Sequence, residues 1–233
     1  MSYTYLGTAP DLDQWRRDAA LAADAGISPP MVRAIRQIES GASSRAVRFE
    51  PHVFHRETGG RYRAQVPYTP GEGRSASSVR TETNRAAFER AKQLDAAAAV
   101  RSTSWGSYQV LGGHLIRLFG SPTTGVSAFD SDPDTVSDRL LVAWMRANPP
   151  ALAAARANNF AEFARRYNGP AYYVRHYDQR LAAAFEAARR EWAEVASLIG
   201  SPVGVTGGVV LGTLTLAAAG LFAYWAWKRR NRV

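Results

Sequence analysis

The sequence predicts a mainly α-helical protein with at most one small β-sheet, followed by a C-terminal helix able to cross a membrane. Three observations predict it. Apolar residues recur at three- and four-residue spacing through most of the first 199 positions. Cap and proline signals punctuate that pattern at short intervals, whereas alternating runs of β-branched residues are scarce. From Val195 to Trp227 there is no charged residue at all.

Taken in order, Asp11 to Ala23 reads as a short amphipathic helix with Leu12, Trp15, Ala19 and Ala22 on one side and Leu21 at its edge. Ser28-Pro29-Pro30 starts a second helix, serine as cap and proline in the first turn, which carries Met31, Ile35 and Ile38 and ends near Ser40-Gly41. Glu50 to Tyr68 mixes aromatics with turn residues and predicts a small hairpin around Gly59-Gly60. The stretch Pro67 to Ser78 (PYTPGEGRSASS) is a loop by composition. Further helices are expected over Asn84 to Val100, Tyr108 to Phe119, Thr135 to Ala147 with Asp134 as cap, and Phe160 to Tyr167 with Asn159 as cap. A long helix runs from Tyr172 to about Ile199, its inward residues being Tyr173, Tyr177, Leu181, Phe185 and Trp192.

Gly200-Ser201-Pro202 breaks that helix. Val203 to Trp227 then gives a largely apolar run, long enough for a hydrocarbon core of roughly 30 Å. Tyr224, Trp225 and Trp227 stand where an interfacial aromatic belt belongs, and Lys228, Arg229, Arg230 and Arg232 follow. Gly204, Gly208 and Gly212 repeat the small-xxx-small spacing that lets two such helices approach, so a homo-oligomer is one reading. The layout expected is an N-terminal helical extension (1–26), a folded domain (27–199) and a membrane helix with a basic tail (200–233).

The chain has no cysteine, which excludes disulfides and thiolate metal sites, and a net charge of +9, which suits a polyanionic partner. No basic stripe interleaved with aromatics is present, so nucleic acid is not the expected partner. His52 and His55 stand at HxxH spacing near Glu50 and Glu57, but no HExxH arrangement occurs. The run Asp130, Asp132, Asp134, Asp138 lacks the central glycine and terminal glutamate of a calcium loop. No metal and no cofactor is expected.

The chemistry concentrates in Ile35 to Glu50 (IRQIESGASSRAVRFE). Glu39 closes an apolar-periodic helix and is followed at once by a turn. Glu50, before Pro51, belongs to an extended segment. Two carboxyl groups in a half-apolar cleft are the equipment for breaking a glycosidic bond. Burial against apolar groups keeps a proton on one of them at neutral pH, and Ile35 and Ile38 give Glu39 that environment. Glu50 is then the second carboxylate, activating water or stabilising positive charge on the sugar ring.

Four segments in this order, IESG (Ile38 to Gly41), FEPHVFHRETGGRY (Phe49 to Tyr62), SWGSYQV (Ser104 to Val110) and RRYNGPAYY (Arg165 to Tyr173), resemble the motifs of phage-type N-acetylmuramidase endolysins, a branch of the lysozyme-like superfamily. The resemblance covers roughly Ile27 to Arg190. It departs from the family in a shorter stretch between the two glutamates and in the polar insert Pro67 to Ser78. It implies a lysozyme-like α+β domain that cuts the β-1,4 bond between N-acetylmuramic acid and N-acetylglucosamine, with Glu39 as general acid. It also implies that Ser104 to Gln109 lines the glycan groove. There Gly106 permits close approach to a sugar, Gln109 offers a donor and an acceptor for an acetamido group, and Ser107 and Tyr108 stand between them. Tyr108 and Val110 as core residues, with Gln109 closing a turn, is the other reading of the same segment. Tyr167 could stack on a sugar or hydrogen-bond Glu39. Asn168 could hold an N-acetyl group, or cap a helix end together with Gly169.

A lytic transglycosylase, which needs one glutamate only, and a non-catalytic, membrane-anchored glycan-binding phage protein are the alternatives. The partners expected are peptidoglycan strands and, through residues 203–227, the inner membrane. The basic tail predicts a cytoplasmic C-terminus with the catalytic domain in the periplasm. Met1 to Gly26 lacks the apolar segment of a secretory signal, so a phage lysis enzyme associated with the host's inner membrane is expected.

Overall fold

The computed structural model describes residues 10–41, 43–67 and 81–199. By compactness the chain divides into Met1–Gly200 and Ser201–Val233, and the second unit lies outside the described residues. The expected membrane helix, its glycine stripe and the polar loop from Tyr68 onward therefore also lie outside them. Among the described residues no helix is long and apolar enough to cross a membrane.

Eleven helices and a three-stranded sheet make up the described part. Helix α1 (Leu12–Ala25) is capped by Asp11, whose carboxylate accepts from the Gln14 amide at 3.0 Å, and ends at Gly26 in the left-handed conformation. Helix α2 (Pro29–Ser40) starts behind Ser28 with proline in its first turn, as the sequence predicts, and stops at Gly41 with φ +59°. It buries Met31, Val32, Ala34 and Ile35 in the core.

The sheet is not where the sequence placed it. Strand β1 (Val47–Phe49) pairs antiparallel with β2 (Thr103–Trp105), and β2 with β3 (Val110–Leu111). The segment expected to hold a hairpin around Gly59-Gly60 forms helix α3 (Pro51–Glu57) and a series of turns closed back upon it. Glycine at left-handed φ serves there to reverse the chain, not to join two strands. With strands of two and three residues, no alternation is long enough to mark them in the sequence.

The expected helix Asn84 to Val100 is two helices, α4 (Thr81–Leu94) and α5 (Ala96–Arg101). Asp95 breaks it by turning its carboxylate onto the Ala98 amide at 2.8 Å, a cap for a new helix. Helix α6 (Gly113–Phe119) begins later than expected, because Tyr108 lies in the β2–β3 turn. Helix α8 (Pro133–Ala147) is capped by Asp132 rather than Asp134, following α7 (Pro122–Ser131). Helix α9 (Pro149–Arg156) precedes α10 (Phe160–Asn168), which Asn159 caps as predicted. The last helix, α11 (Tyr177–Ile199), is shorter than expected because Tyr172–Arg175 is a 3-10 turn ending at His176 with φ +49°. Tyr177, Leu181 and Phe185 point inward, but Tyr173, on the 3-10 turn, is 64% exposed.

One apolar core runs through α2, the sheet, α5, α8 and α11. A smaller cluster of Trp15, Ala188 and Val195, flanked by Leu12 and Trp192, joins α1 to the far end of α11. Between them Asp18, fully buried, accepts from Arg33 Nε and Arg36 Nη2 of α2, each at 2.8 Å. Arg33 also pairs with Glu191 of α11 at 2.8 Å and lies 3.4 Å over the Trp15 ring. Each buried charge thus has its partner, the condition under which charges are found in an interior.

Candidate active site

Glu39 lies in the last turn of α2, partly buried beside the sheet. Its position follows from the helix pattern: with Ile35 and Ile38 committed to the core, Glu39 falls at the margin of the apolar stripe. The phenol of Tyr177, first residue of α11, donates to its Oε1 at 2.5 Å, and the side-chain amide of Asn168 bonds the same carboxyl group. Burial raises its pKa from the ordinary carboxylate value to about 6. The bonds from Tyr177 and Asn168 and the charges of Arg48 and Arg180 pull the other way, and burial wins. A carboxylate at a helix C-terminus also faces the negative end of the helix dipole, which acts in the same direction as burial.

Glu50 follows β1, caps the start of α3, and is 6% exposed. Arg48 Nη2 pairs with its Oε1 at 2.6 Å, and His52 Nδ1 stands 3.7 Å from its Oε2. Its pKa is raised as well, by burial first, against the opposing charges of Arg48, His52 and Arg175. The two glutamates therefore share one cation, since the charge of Arg48 acts on both. Positions 48 and 50 lie on the same side of a strand, because side chains alternate along it.

The β2–β3 turn forms the neighbouring wall. Gly106 takes φ +72°, and a Cβ there would lie 1.9 Å from Ser137 Oγ, so the position admits only glycine without displacing α8. Ser107 is held from both sides: its amide donates to Ser137 Oγ at 3.2 Å, and its carbonyl accepts from Ser40 Oγ, next to Glu39, at 2.9 Å. Tyr108 is 1% exposed, so its ring is core and its backbone carbonyl is what it contributes, accepting from the Tyr167 hydroxyl. Gln109, at φ +49°, donates its amide to the carbonyls of Gly106 (3.0 Å) and Ala46 (3.3 Å) and so closes the turn onto β1. The Tyr167 ring lies nearly parallel to that of Tyr177, centroids 6.5 Å apart. Residues 107, 108, 167 and 177 thus form a connected scaffold leading to Glu39.

All the residues singled out in the sequence, Glu39, Glu50, Ser107, Tyr108, Gln109, Tyr167 and Asn168, fall in this one region. Three others belong to it that the sequence did not single out for chemistry: Arg48, Tyr177 and Arg180. Strand alternation around Glu50 was a usable signal for Arg48, whereas Tyr177 lies 138 residues from Glu39 and only the fold joins them. Among the described residues no group of three or more His, Asp or Glu side chains gathers as a metal site. His55 donates Nε2–H to the Val66 carbonyl at 2.6 Å.

Comparison with known proteins meets this geometry. The family model described as Muramidase, N-acetylmuramidase, matches residues 28–189. Among solved structures, the crystal structure of the Burkholderia AP3 phage endolysin is similar at a TM-score of 0.55 with 26% identity, over 75% of this chain and 70% of that one. No curated protein matches the chain. A helical fold with a small sheet and a half-buried glutamate at a helix end is thereby placed among the glycoside hydrolases that act on peptidoglycan. The chain belongs to the N-acetylmuramidase family. The endolysin resemblance carried by the four sequence segments holds, and with it the lysozyme-like, mainly α fold.

Proposed function

We propose that Glu39 is the general acid of this muramidase, protonating the oxygen of the β-1,4 bond between N-acetylmuramic acid and N-acetylglucosamine. The observation that carries the proposal is a carboxyl group whose pKa is pushed up to about 6 by burial while Tyr177 and Asn168 fix its orientation. An acid in that range keeps about a tenth of its molecules protonated at pH 7, far more than an ordinary glutamate, and gives its proton up readily. As the bond to the leaving sugar stretches, positive charge develops on the ring carbon, and Glu50 supplies the opposing carboxylate. Arg48 and His52 keep Glu50 in place, and water completes the hydrolysis. The turn through Ser107, Tyr108 and Gln109 and the end of α10 at Tyr167 and Asn168 form the binding walls. Ser107 and Gln109 there act through backbone that the internal bonds hold rigid.

In this reading residues 1–26 are an extension, 27–199 the catalytic domain and 200–233 an inner-membrane anchor with a basic tail. The domain then works on the periplasmic side, and Gly204, Gly208 and Gly212 form an oligomer contact. The uncharged, aromatic-flanked composition of 203–227 supports the anchor. It is tested by comparing the membrane fractionation of the full chain with that of a chain ending at Gly200. Equal solubility of the two removes the anchor.

The decisive experiment for the chemistry is mass spectrometry of the fragments that the protein releases from purified walls. Reducing N-acetylmuramic acid ends are expected, and anhydro-muramic ends would replace hydrolysis by transglycosylation, with Glu39 acting alone. Glu39→Gln should lower the release rate about 10²–10⁴-fold. Undiminished release by that variant would remove Glu39 from the acid role.

A further inference from the structure

Beside Glu50 the structure holds a concavity that neither glutamate lines. After α3 the chain turns back on itself: the Gly60 amide donates to the His55 carbonyl at 2.7 Å, the Val66 amide to the Tyr62 carbonyl at 2.9 Å, and His55 to the Val66 carbonyl. The result is a bowl of about 670 Å³ between α3 and the turns, a volume within the usual range for a ligand pocket. Two arginines line it, Arg56 from the helix and Arg63 from the turns, with His52 and His55 alongside and no carboxylate among the described lining residues. Neither arginine forms an ion pair among the described residues. The nearest acid in sequence, Glu57, pairs instead with Arg101 at 2.7 Å. Gly60, at φ +76°, makes room for the Arg63 guanidinium, since a Cβ there would sit 2.8 Å from its Nε. His52 belongs to both places, lining the bowl and standing 3.7 Å from Glu50.

Two arginines lining one concavity, with no carboxylate among its described lining residues, call for an anion, and a planar carboxylate matches the guanidinium donor geometry best. We infer that this bowl binds a carboxylate of the peptide stem carried by the N-acetylmuramic acid residue, next to the sugar whose bond is cut. The inference rests on the proposed muramidase chemistry at Glu39 and Glu50. The glycan backbone itself offers no charge to arginine, since its sugars are neutral wherever the lactyl group is joined to a stem. The stem carries free carboxylates at fixed places along it. The bowl then sets which wall strands are cut most readily, those bearing stems, without taking part in bond cleavage.

The test measures initial release rates against wall concentration for the full chain and two double variants. R56Q/R63Q empties the bowl of its cations. R90Q/R190Q removes the same charge from exposed positions elsewhere and serves as the control for general attraction to an anionic wall. On untreated walls, R56Q/R63Q is expected to need about tenfold more wall for half-maximal rate, with the maximal rate unchanged. R90Q/R190Q is expected to match the wild type. On walls whose free carboxyl groups have been capped as neutral amides, the wild type should fall to the level of R56Q/R63Q. Equal behaviour of the two double variants on untreated walls overturns the inference. So does a gap between wild type and R56Q/R63Q that survives capping, because the anion is then a wall phosphate and not a stem carboxylate. Failure of the muramidase reading itself looks different, since it appears as undiminished maximal rate in Glu39→Gln.

Discussion

At the scale of single residues, the carboxyl group at position 39 is set by opposing forces, burial the largest, and each can be moved separately. Removing the Tyr177 hydroxyl deletes a bond that favours the charged carboxylate and leaves burial in place. Tyr177→Phe should therefore raise the pKa of Glu39, and the alkaline limb of the pH–rate profile should move upward by up to about one pH unit. Replacing Arg48 by Gln acts in the same direction on both glutamates. The tuning also weakens the fold. The pKa of Glu39 is higher folded (about 6) than unfolded (4.5), so the native state binds the proton more tightly, and stability falls as pH rises through that window. Glu39→Gln should then melt higher than the parent above pH 6, by roughly 1 kcal/mol after allowance for solvent, and equal it below pH 4.5. Thermal melts at pH 4 and pH 8 check this. The position of Glu39 was legible in the sequence, because an apolar helix stripe ending in Glu-Ser-Gly puts that glutamate at the helix end, although the tripeptide alone does not separate an acid from an ordinary helix terminus. Its tuning was not, since Tyr177 and Asn168 carry no local mark of being its partners.

Elements show why some boundaries could be read and others could not. Ser28-Pro29-Pro30 and Asn159 announce their helices because cap and first turn are adjacent in sequence. The same cap-and-proline pattern at Ser121-Pro122 and Asn148-Pro149-Pro150 starts α7 and α9. Asp95 inside an alanine run reads as helix interior until its carboxylate is seen on the Ala98 amide. The strands are too brief for any periodicity, and their register comes from the β2–β3 turn. That turn depends on Gly106, so Gly106→Ala should cost about 3 kcal/mol through left-handed strain and collision with Ser137, read from urea denaturation. The α1–α2 contact depends in turn on Asp18, invisible to a sequence reading that assigns charged residues to the solvated face. Asp18→Asn leaves Arg33 and Arg36 without their carboxylate and should cost about 3 kcal/mol by the same measurement.

For the whole molecule, the family match ends short of the folding unit at both ends. Residues 28–189 omit α1 and the end of α11, hence Trp15, Asp18, Glu191 and Val195. A fragment cut at those boundaries should lose roughly 5 kcal/mol or more, comparable to the full stability of an ordinary domain, and show no cooperative melt by circular dichroism. Restoring residues 10–27 and 190–199 should restore it. The same long-range stitching orders events in time. Trp15 hydrogen-bonds Glu191 across 176 positions, and Glu39 meets Tyr177 across 138. A ribosome therefore releases the glutamate long before the residues that orient and enclose it. Chains interrupted anywhere before α11 carry the glutamate without its setting, so on the proposed assignment cutting waits until α11 has emerged.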